Sequence, residues 1–399
     1  MCETMDQQHA ERQVMFGRAI DRRKLVTMMA LALLAGCKMI PKGPPEAPPP
    51  TTGPSADVLP TDTGRHRVAL LVPMAGGNAA VGQSIANAAT MALLDTNAQN
   101  LRVTTYDTSG SATQAAEKAI ADGNKLILGP LLSENIPDVS VKARAAKVPV
   151  ISFSNDESAA SKDVFIMGSL PSQSVVRTVD YARSRGVKTF AALIPRGVYG
   201  QRASSALLSA ARTGGGSVVA MEVYDRSNAS VTGAAQRLRT KGGYQAVLIA
   251  DGGRMASLAA PVLKPAANPD SSQILGTELW SGESVIGSTP ALRGAWFSAV
   301  ADTRFNQFAK SYKSRFGGQP YRIATLGYDA VLLTLRIARD WRLGTIFPTG
   351  RMLDKDGFLG LDGPFRFAQS GVIERSLEVR EVRSGGIAVI SPAPTAFKD

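Results

Sequence analysis

Val68-Ala69-Leu70-Leu71-Val72-Pro73-Met74-Ala75-Gly76-Gly77 is an unbroken apolar run that stops at proline and glycine. Consecutive apolar side chains without polar alternation describe a strand buried on both faces, as in a parallel sheet. The turn hands over to residues 82–95, whose small and apolar side chains recur at helical spacing. The same unit then repeats. Strands are expected at 101–106, 125–128 and 148–153, with helices at 113–122 and 133–147 between them. A second array follows, with strands at 189–194, 217–224, 246–250 and 273–277 and helices at 199–213, 231–241 and 253–263. Two consecutive arrays predict an α/β protein of two doubly wound parallel-sheet lobes. Ligands in such sheets lie beyond the carboxyl ends of the strands.

Before residue 65 the composition is different. Arg22-Arg23-Lys24 precede an 11-residue apolar run from Leu25 to Ala35, too short to span a membrane, and Leu34-Ala35-Gly36-Cys37 closes it. This reads as a secretory leader, and Leu-Ala-Gly-Cys looks like a bacterial lipobox that acylates Cys37. The alternative is a plain signal peptide with a chance Cys. Lys38 after the Cys favours the outer membrane, by resemblance to Gram-negative lipoproteins. Residues 1–37 are thus the expected lipoprotein signal peptide. Residues 38–64 are a proline-rich tether that, at ~3 Å per residue, could lift the domain up to ~80 Å from the membrane.

Of the 399 residues, 45 are basic and 33 acidic. Residues 1–37 carry 5 and 4 of these, which leaves 40 and 29 and a net charge of +11 on the remaining 362 residues. The Lys and Arg are scattered, with no run longer than two beyond the leader, and export argues against nucleic acid. An anionic cell-wall polymer or lipid surface is a further possibility. Cys2 leaves with the leader and Cys37 is acylated, so no disulfide or thiol nucleophile is expected. His66 alone survives of the two histidines, which excludes His-based triads and multi-His metal sites. No motif supports catalysis or a cofactor, so a non-enzymatic protein is expected, with no catalytic or metal site. His66 itself reads as a solvated residue at the end of the tether.

The ordered phrases identify a resemblance. Val68–Pro73 with its glycine loop, Tyr106-Asp107-Thr108, Ile127-Leu128-Gly129-Pro130-Leu131-Leu132-Ser133, Val148-Pro149-Val150-Ile151-Ser152, Tyr199-Gly200 and Tyr328-Asp329-Ala330-Val331 occur in the order of the type I periplasmic-binding family. The branch resembled is the leucine/isoleucine/valine-binding one, over about residues 65–390. It implies three crossovers, placed near 166–170, 296–300 and 343–350. Lobe 1 would be 65–168 plus 300–345, and lobe 2 would be 169–299 plus 346–390. The phrase Gly357-Phe358-Leu359-Gly360-Leu361-Asp362-Gly363-Pro364-Phe365-Arg366-Phe367 would be a return strand completing the second lobe.

Candidate ligand residues sit on the loops that start helices, where free N–H groups and the helix dipole favour an anion. Ser133 could meet a carboxylate or could N-cap the helix behind it. Ser152, Phe153 and Ser154 follow the fourth strand, where the family contacts a ligand carboxylate; a plain turn is the alternative. Gly76, Gly77 and Asn78 form a weak glycine loop. Tyr199 stands where the family places an aromatic wall. Glu278, or else Asp251, could receive an ammonium group; either could also be a solvated carboxylate or a helix cap. Trp280 either lines the cleft or packs between the lobes, and Trp296 belongs to a crossover strand.

Two functions remain open at this stage. With the lipobox and tether, the chain resembles lipoproteins of the penicillin-binding protein activator type, which implies a regulator of a peptidoglycan synthase. The alternative is a substrate-binding protein that delivers an amino acid or similar small carboxylate to an ABC permease.

Overall fold

The computed structural model describes residues 64–265 and 272–397; the leader, Cys37 and residues 38–63 of the tether lie outside the described residues. Among the described residues no helix is long and apolar enough to cross a membrane.

In the first lobe, strand β1 (His66–Val72) leads through a proline turn to helix α1 (Ala79–Asp95). Strand β2 (Leu101–Asp107), helix α2 (Ala112–Ala121), strand β3 (Ile127–Leu128), helix α3 (Ile136–Ala145), strand β4 (Val150–Ser152) and strand β5 (Val164–Ile166) follow. The sheet is parallel, in the order β2-β1-β3-β4-β5. Val68 to Val72 are all at most 1% exposed, as the apolar run requires. Each such side chain contributes about 1.5–3 kcal/mol by leaving water.

The chain passes to the second lobe with helix α4 (Pro171–Ser184). Strand β6 (Thr189–Pro195), helix α5 (Val198–Thr213), strand β7 (Ser217–Tyr224), helix α6 (Asn228–Lys241), strand β8 (Ala246–Ile249), helix α7 (Gly253–Leu263) and strand β9 (Gln273–Leu275) come next. Short helix α8 (Ser284–Ser288) precedes strand β10 (Trp296–Ala299). The order β7-β6-β8-β9-β10 repeats that of the first sheet. The repeat extends to a steric detail. A Cβ on Gly82 of α1 would lie 1.8 Å from the carbonyl oxygen of Pro73, and one on Gly200 of α5 would lie 1.9 Å from that of Pro195. Each lobe therefore needs glycine where the helix after its first strand crosses the end of that strand.

Helix α9 (Thr303–Phe316) and helix α10 (Thr325–Ala338) return to the first lobe, packing on α1 through Met91, Phe308, Tyr312 and Tyr328. Strands β11 (Phe358–Gly360), β12 (Gly363–Phe367) and β13 (Ile373–Arg375) then form a small antiparallel sheet. Here the structure corrects the expected domain boundary. Phe347, Met352, Phe358, Phe365, Phe367 and Ile373 are buried in the core of the first lobe, so residues 346–375 do not belong to the second. The phrase at 357–367 is a hairpin covering lobe 1 rather than a return strand of lobe 2. The third crossing falls between Arg375 and Glu378. Strands β14 (Glu378–Arg383) and β15 (Gly386–Ser391) complete the second sheet, antiparallel beside β10.

Two aromatic expectations also change. His66 is 5% exposed and stacks on Trp341 at 4.0 Å between ring centroids. It is the first residue of β1 rather than the last of the tether, and burial lowers its pKa. Trp280 neither lines the cleft nor bridges the lobes. It is fully buried in the second lobe, and its indole N–H donates to the Asp251 carbonyl at 2.9 Å.

Candidate functional site

A cavity of about 530 Å³ lies between the lobes, at the carboxyl ends of strands from both parallel sheets. Its lining includes the loop after β3, the loop after β4, the start of α4 and the start of α10. The three crossings also reach it, through Leu170, Val300, Arg375 and Leu377.

On the first lobe, Ser133 heads a 3-10 turn (Ser133–Asn135) before α3, is exposed toward the cavity, and makes no side-chain capping bond. The cap reading of Ser133 is therefore not what the structure shows: Leu132 precedes the turn and Asn135 precedes the helix. Phe153 and Ser154 line the cavity from the loop after β4. Ser152 lies beneath them, fully buried. Its hydroxyl donates to the Pro130 carbonyl at 2.9 Å and accepts from the Ser154 N–H at 3.2 Å, which ties the two loops together. Ser152 thus shapes the site without lining it.

On the second lobe, Tyr199 and Glu278 meet at the cavity wall. The Tyr199 hydroxyl lies 3.0 Å from Glu278 Oε1 and 2.9 Å from the Thr277 hydroxyl. One O–H cannot serve two acceptors, so it donates to the carboxylate and accepts from Thr277. Glu278 Oε2 is buried with no hydrogen-bond partner. Burial pushes the Glu278 carboxyl up to about 7. Burial and the nearby carboxylate also hold the Tyr199 phenol well above its ordinary value.

Three candidates fall elsewhere. Gly77 and Asn78 belong to an exposed 3-10 turn (Gly76–Asn78) outside the cavity. The loop before them is held by Asp107 and Ser109, which accept from the Met74 and Ala75 N–H groups at 2.8 Å each. Asp251 is 6% exposed and already occupied: it accepts from Tyr224, from Arg226 and from the Gly252 N–H.

Among the polar lining residues that escaped the sequence reading are Arg322, Thr325, Asp362 and Arg375. Arg322 opens the 3-10 turn (Arg322–Ala324) before α10, and Arg375 ends β13 at the third crossing. Both approach Asp362. Arg322 Nη1 lies 2.5 Å from Asp362 Oδ1, and Arg375 Nη1 lies 3.9 Å from Oδ2, which also accepts from the Thr325 hydroxyl at 3.0 Å. Behind them, Asp329 is fully buried, and burial together with Asp362 holds its carboxyl well above the usual range. Only Asp362 stood in a phrase that carried the family resemblance; nothing local marks an arginine as buried. Among the described residues, no cluster of His, Cys, Asp and Glu could hold a metal ion.

Two lobes of repeated order, three crossings and a cavity between them define a periplasmic-binding type of protein. Residues 66–386 match the periplasmic binding protein family model, and the chain belongs to that family. Over 142 residues it is 32% identical to an uncharacterized protein of Rickettsia prowazekii (strain Madrid E), a stretch that covers 35% of this chain and 38% of that protein. The fold is similar to that of a Rhodospirillum rubrum protein provisionally assigned as a branched-chain amino acid ABC transporter. That match has a TM-score of 0.73 and 20% identity, over 82% of this chain and 100% of the other. It is similar also to the solute-binding protein of an ABC transporter from Rhodopseudomonas palustris BisB5, solved with 3,4-dihydroxybenzoic acid. There the TM-score is 0.64 at 21% identity, over 84% and 97% of the two chains.

Proposed function

We propose that this protein captures a small carboxylate, an amino acid or a compound of similar size, between its lobes and presents it to an ABC permease. The observation that carries this reading is the interlobar cavity itself. Both lobes line it, and its wall includes a buried carboxylate oxygen, Glu278 Oε2, with no hydrogen-bond partner among the described residues. A buried polar atom left unsatisfied costs about 1–3 kcal/mol, which a bound donor would relieve. In this reading Ser133 and Ser154 receive a ligand carboxylate, Tyr199 and Phe153 flank its body, and Glu278 receives its ammonium or hydroxyl group. The protein works in the periplasm, held to the outer membrane through an acylated Cys37.

The test is calorimetric titration of the full chain against pooled amino acids and small carboxylic acids, with thermal denaturation alongside, because a ligand that binds only the folded state raises Tm. Micromolar binding that is lost in Ser133→Ala and Glu278→Ala supports the reading. No heat and no shift across the pool overturns it. Permease and ATPase genes beside this one would add independent support.

The second reading is regulation of a peptidoglycan synthase. It is favoured by one observation: the glycine loop at Gly77 and Asn78 stands exposed, away from the cavity, and is available to another surface. Pull-down from envelope extracts with the full chain tests it.

A further inference from the structure

The Glu278 wall suits a ligand donor, and Ser133 and Ser154 suit one carboxylate. Neither accounts for the wall built by Arg322 and Arg375. The Arg375 side chain is 2% exposed, and its Nη2 donates to the Met167 carbonyl at 3.0 Å. Its Nε and Nη1 are buried with no hydrogen-bond partner, as are Nε and Nη2 of Arg322. The carboxylates nearby pair ionically with Arg322 Nη2 and Arg375 Nη1 at 3.9 Å but do not hydrogen-bond them. Asp362 spends Oδ1 on Arg322 Nη1 and Oδ2 on Thr325, and stays 3.9 Å from Arg375. Asp302 binds Arg380 through Oδ2 at 2.6 Å, and its Oδ1 lies 3.9 Å from Arg322 Nη2. Asp329 directs Oδ1 at the Leu361 N–H.

Four guanidinium nitrogens thus sit without acceptors in the wall of one cavity. A buried charged donor left unsatisfied is more costly than a neutral one, and a guanidinium fork matches a carboxylate in two parallel hydrogen bonds. These four nitrogens carry six N–H groups between them, against about four lone-pair sites on a carboxylate. A carboxylate placed there is saturated by the arginines and leaves nothing for the serine loops. The apolar lining of Leu131, Phe153, Leu170, Ile323 and Leu326 supplies surface for a carbon skeleton joining two acid groups.

We propose that the solute is a small dicarboxylate or acidic amino acid, with one carboxylate at Ser133 and Ser154 and the second held by Arg322 and Arg375. This rests on the solute-capture reading and narrows its substrate class.

The experiment titrates the full chain with matched pairs: L-glutamate against L-glutamine, glutarate against butyrate, and phthalate against benzoate. The dicarboxylate member binds at least tenfold more tightly. Arg322→Gln, at a partly exposed side chain that leaves Arg375 and the core in place, abolishes that preference. It weakens the dicarboxylate member more than the monocarboxylate member, and Arg322→Lys restores part of the preference. Equal or tighter binding of the monocarboxylate members, or a preference that survives Arg322→Gln, overturns the inference while leaving solute capture standing. No binding by any member overturns both.

Discussion

Arg202 of α5 reaches across the mouth of the cleft to Asp156, in the loop after β4, with Nη2 2.6 Å from Oδ1. Its Nη1 also donates to the Asn155 carbonyl at 3.0 Å. One end of this contact belongs to each lobe, so it ties the two lobes together beside the cleft. Proteins of two lobes around a cleft open and close by hinge motion, and a contact made only in the closed form favours it.

Arg202→Ala therefore accelerates ligand release more than it lowers stability. We expect a three- to tenfold rise in dissociation rate, read by stopped-flow displacement. The stability change should stay within about 1 kcal/mol, since a partly exposed ion pair contributes little to folding. An unchanged dissociation rate would show that the contact does not hold the cleft.

Glu278 makes stability depend on pH. Its carboxyl lies near 7 when folded, raised by burial from about 4.5. The folded state then binds the proton more tightly than the unfolded chain does. Its contribution is greatest below about 4.5 and falls as pH rises through about 7. Glu278→Gln flattens this part of the profile, with Tm less sensitive to pH between 5 and 7.5 than in the parent. A ligand that offers an ammonium group binds more tightly above pH 7, where Glu278 is ionised, and calorimetry at pH 6 and 8 reads that difference.

Trp280 anchors the turn that presents Glu278. Replacing it with Phe leaves the buried Asp251 carbonyl without its donor and costs about 1–3 kcal/mol. Replacing it with Ala costs about 3–5 kcal/mol through the cavity it opens. Equilibrium denaturation of the two variants separates the hydrogen bond from the packing. Ligand affinity also falls in Trp280→Ala, because the turn from Glu278 to Trp280 loses its inner support.

Gly82 and Gly200 give a matched pair of steric tests. Alanine at either forces its Cβ onto a strand-end carbonyl. Each single substitution costs about 1–3 kcal/mol or more by overpacking. Because each distorts a different lobe, the two costs add in the double variant. Comparison of the three Tm values checks it, and a cost at only one position would break the likeness between the lobes.

The parallel arrays were legible because nothing else produces short apolar runs that stop at glycine or proline and alternate with helical spacing. Legibility stopped near Trp296. Beyond it the chain leaves the alternating pattern for two consecutive helices and a three-stranded hairpin sheet. The aromatic side chains of that sheet serve either lobe equally well on paper, and tertiary packing of Phe358, Phe365 and Phe367 decided the matter. Of the candidates read from strand ends, Ser133, Phe153, Ser154, Tyr199 and Glu278 line the cavity. Asp251 had the same position but was consumed by Tyr224 and Arg226, which lie 25 to 27 residues earlier and could not be paired with it by spacing. Arg375 was invisible for a related reason. Among so many scattered arginines, burial is set by where the third crossing runs.

That third crossing has a consequence for synthesis. The central parallel strands of the second sheet are complete by Ala299, yet β14, which covers the edge of β10, begins only at Glu378. For the span of nearly eighty residues between them, the β10 edge of the second sheet stays uncovered in the emerging chain, while α9, α10 and the hairpin assemble onto the other half of the molecule. Strands β14 and β15 thus act as a seal on the β10 edge applied last, and a ribosome halted before them leaves that edge prone to pairing with its neighbours.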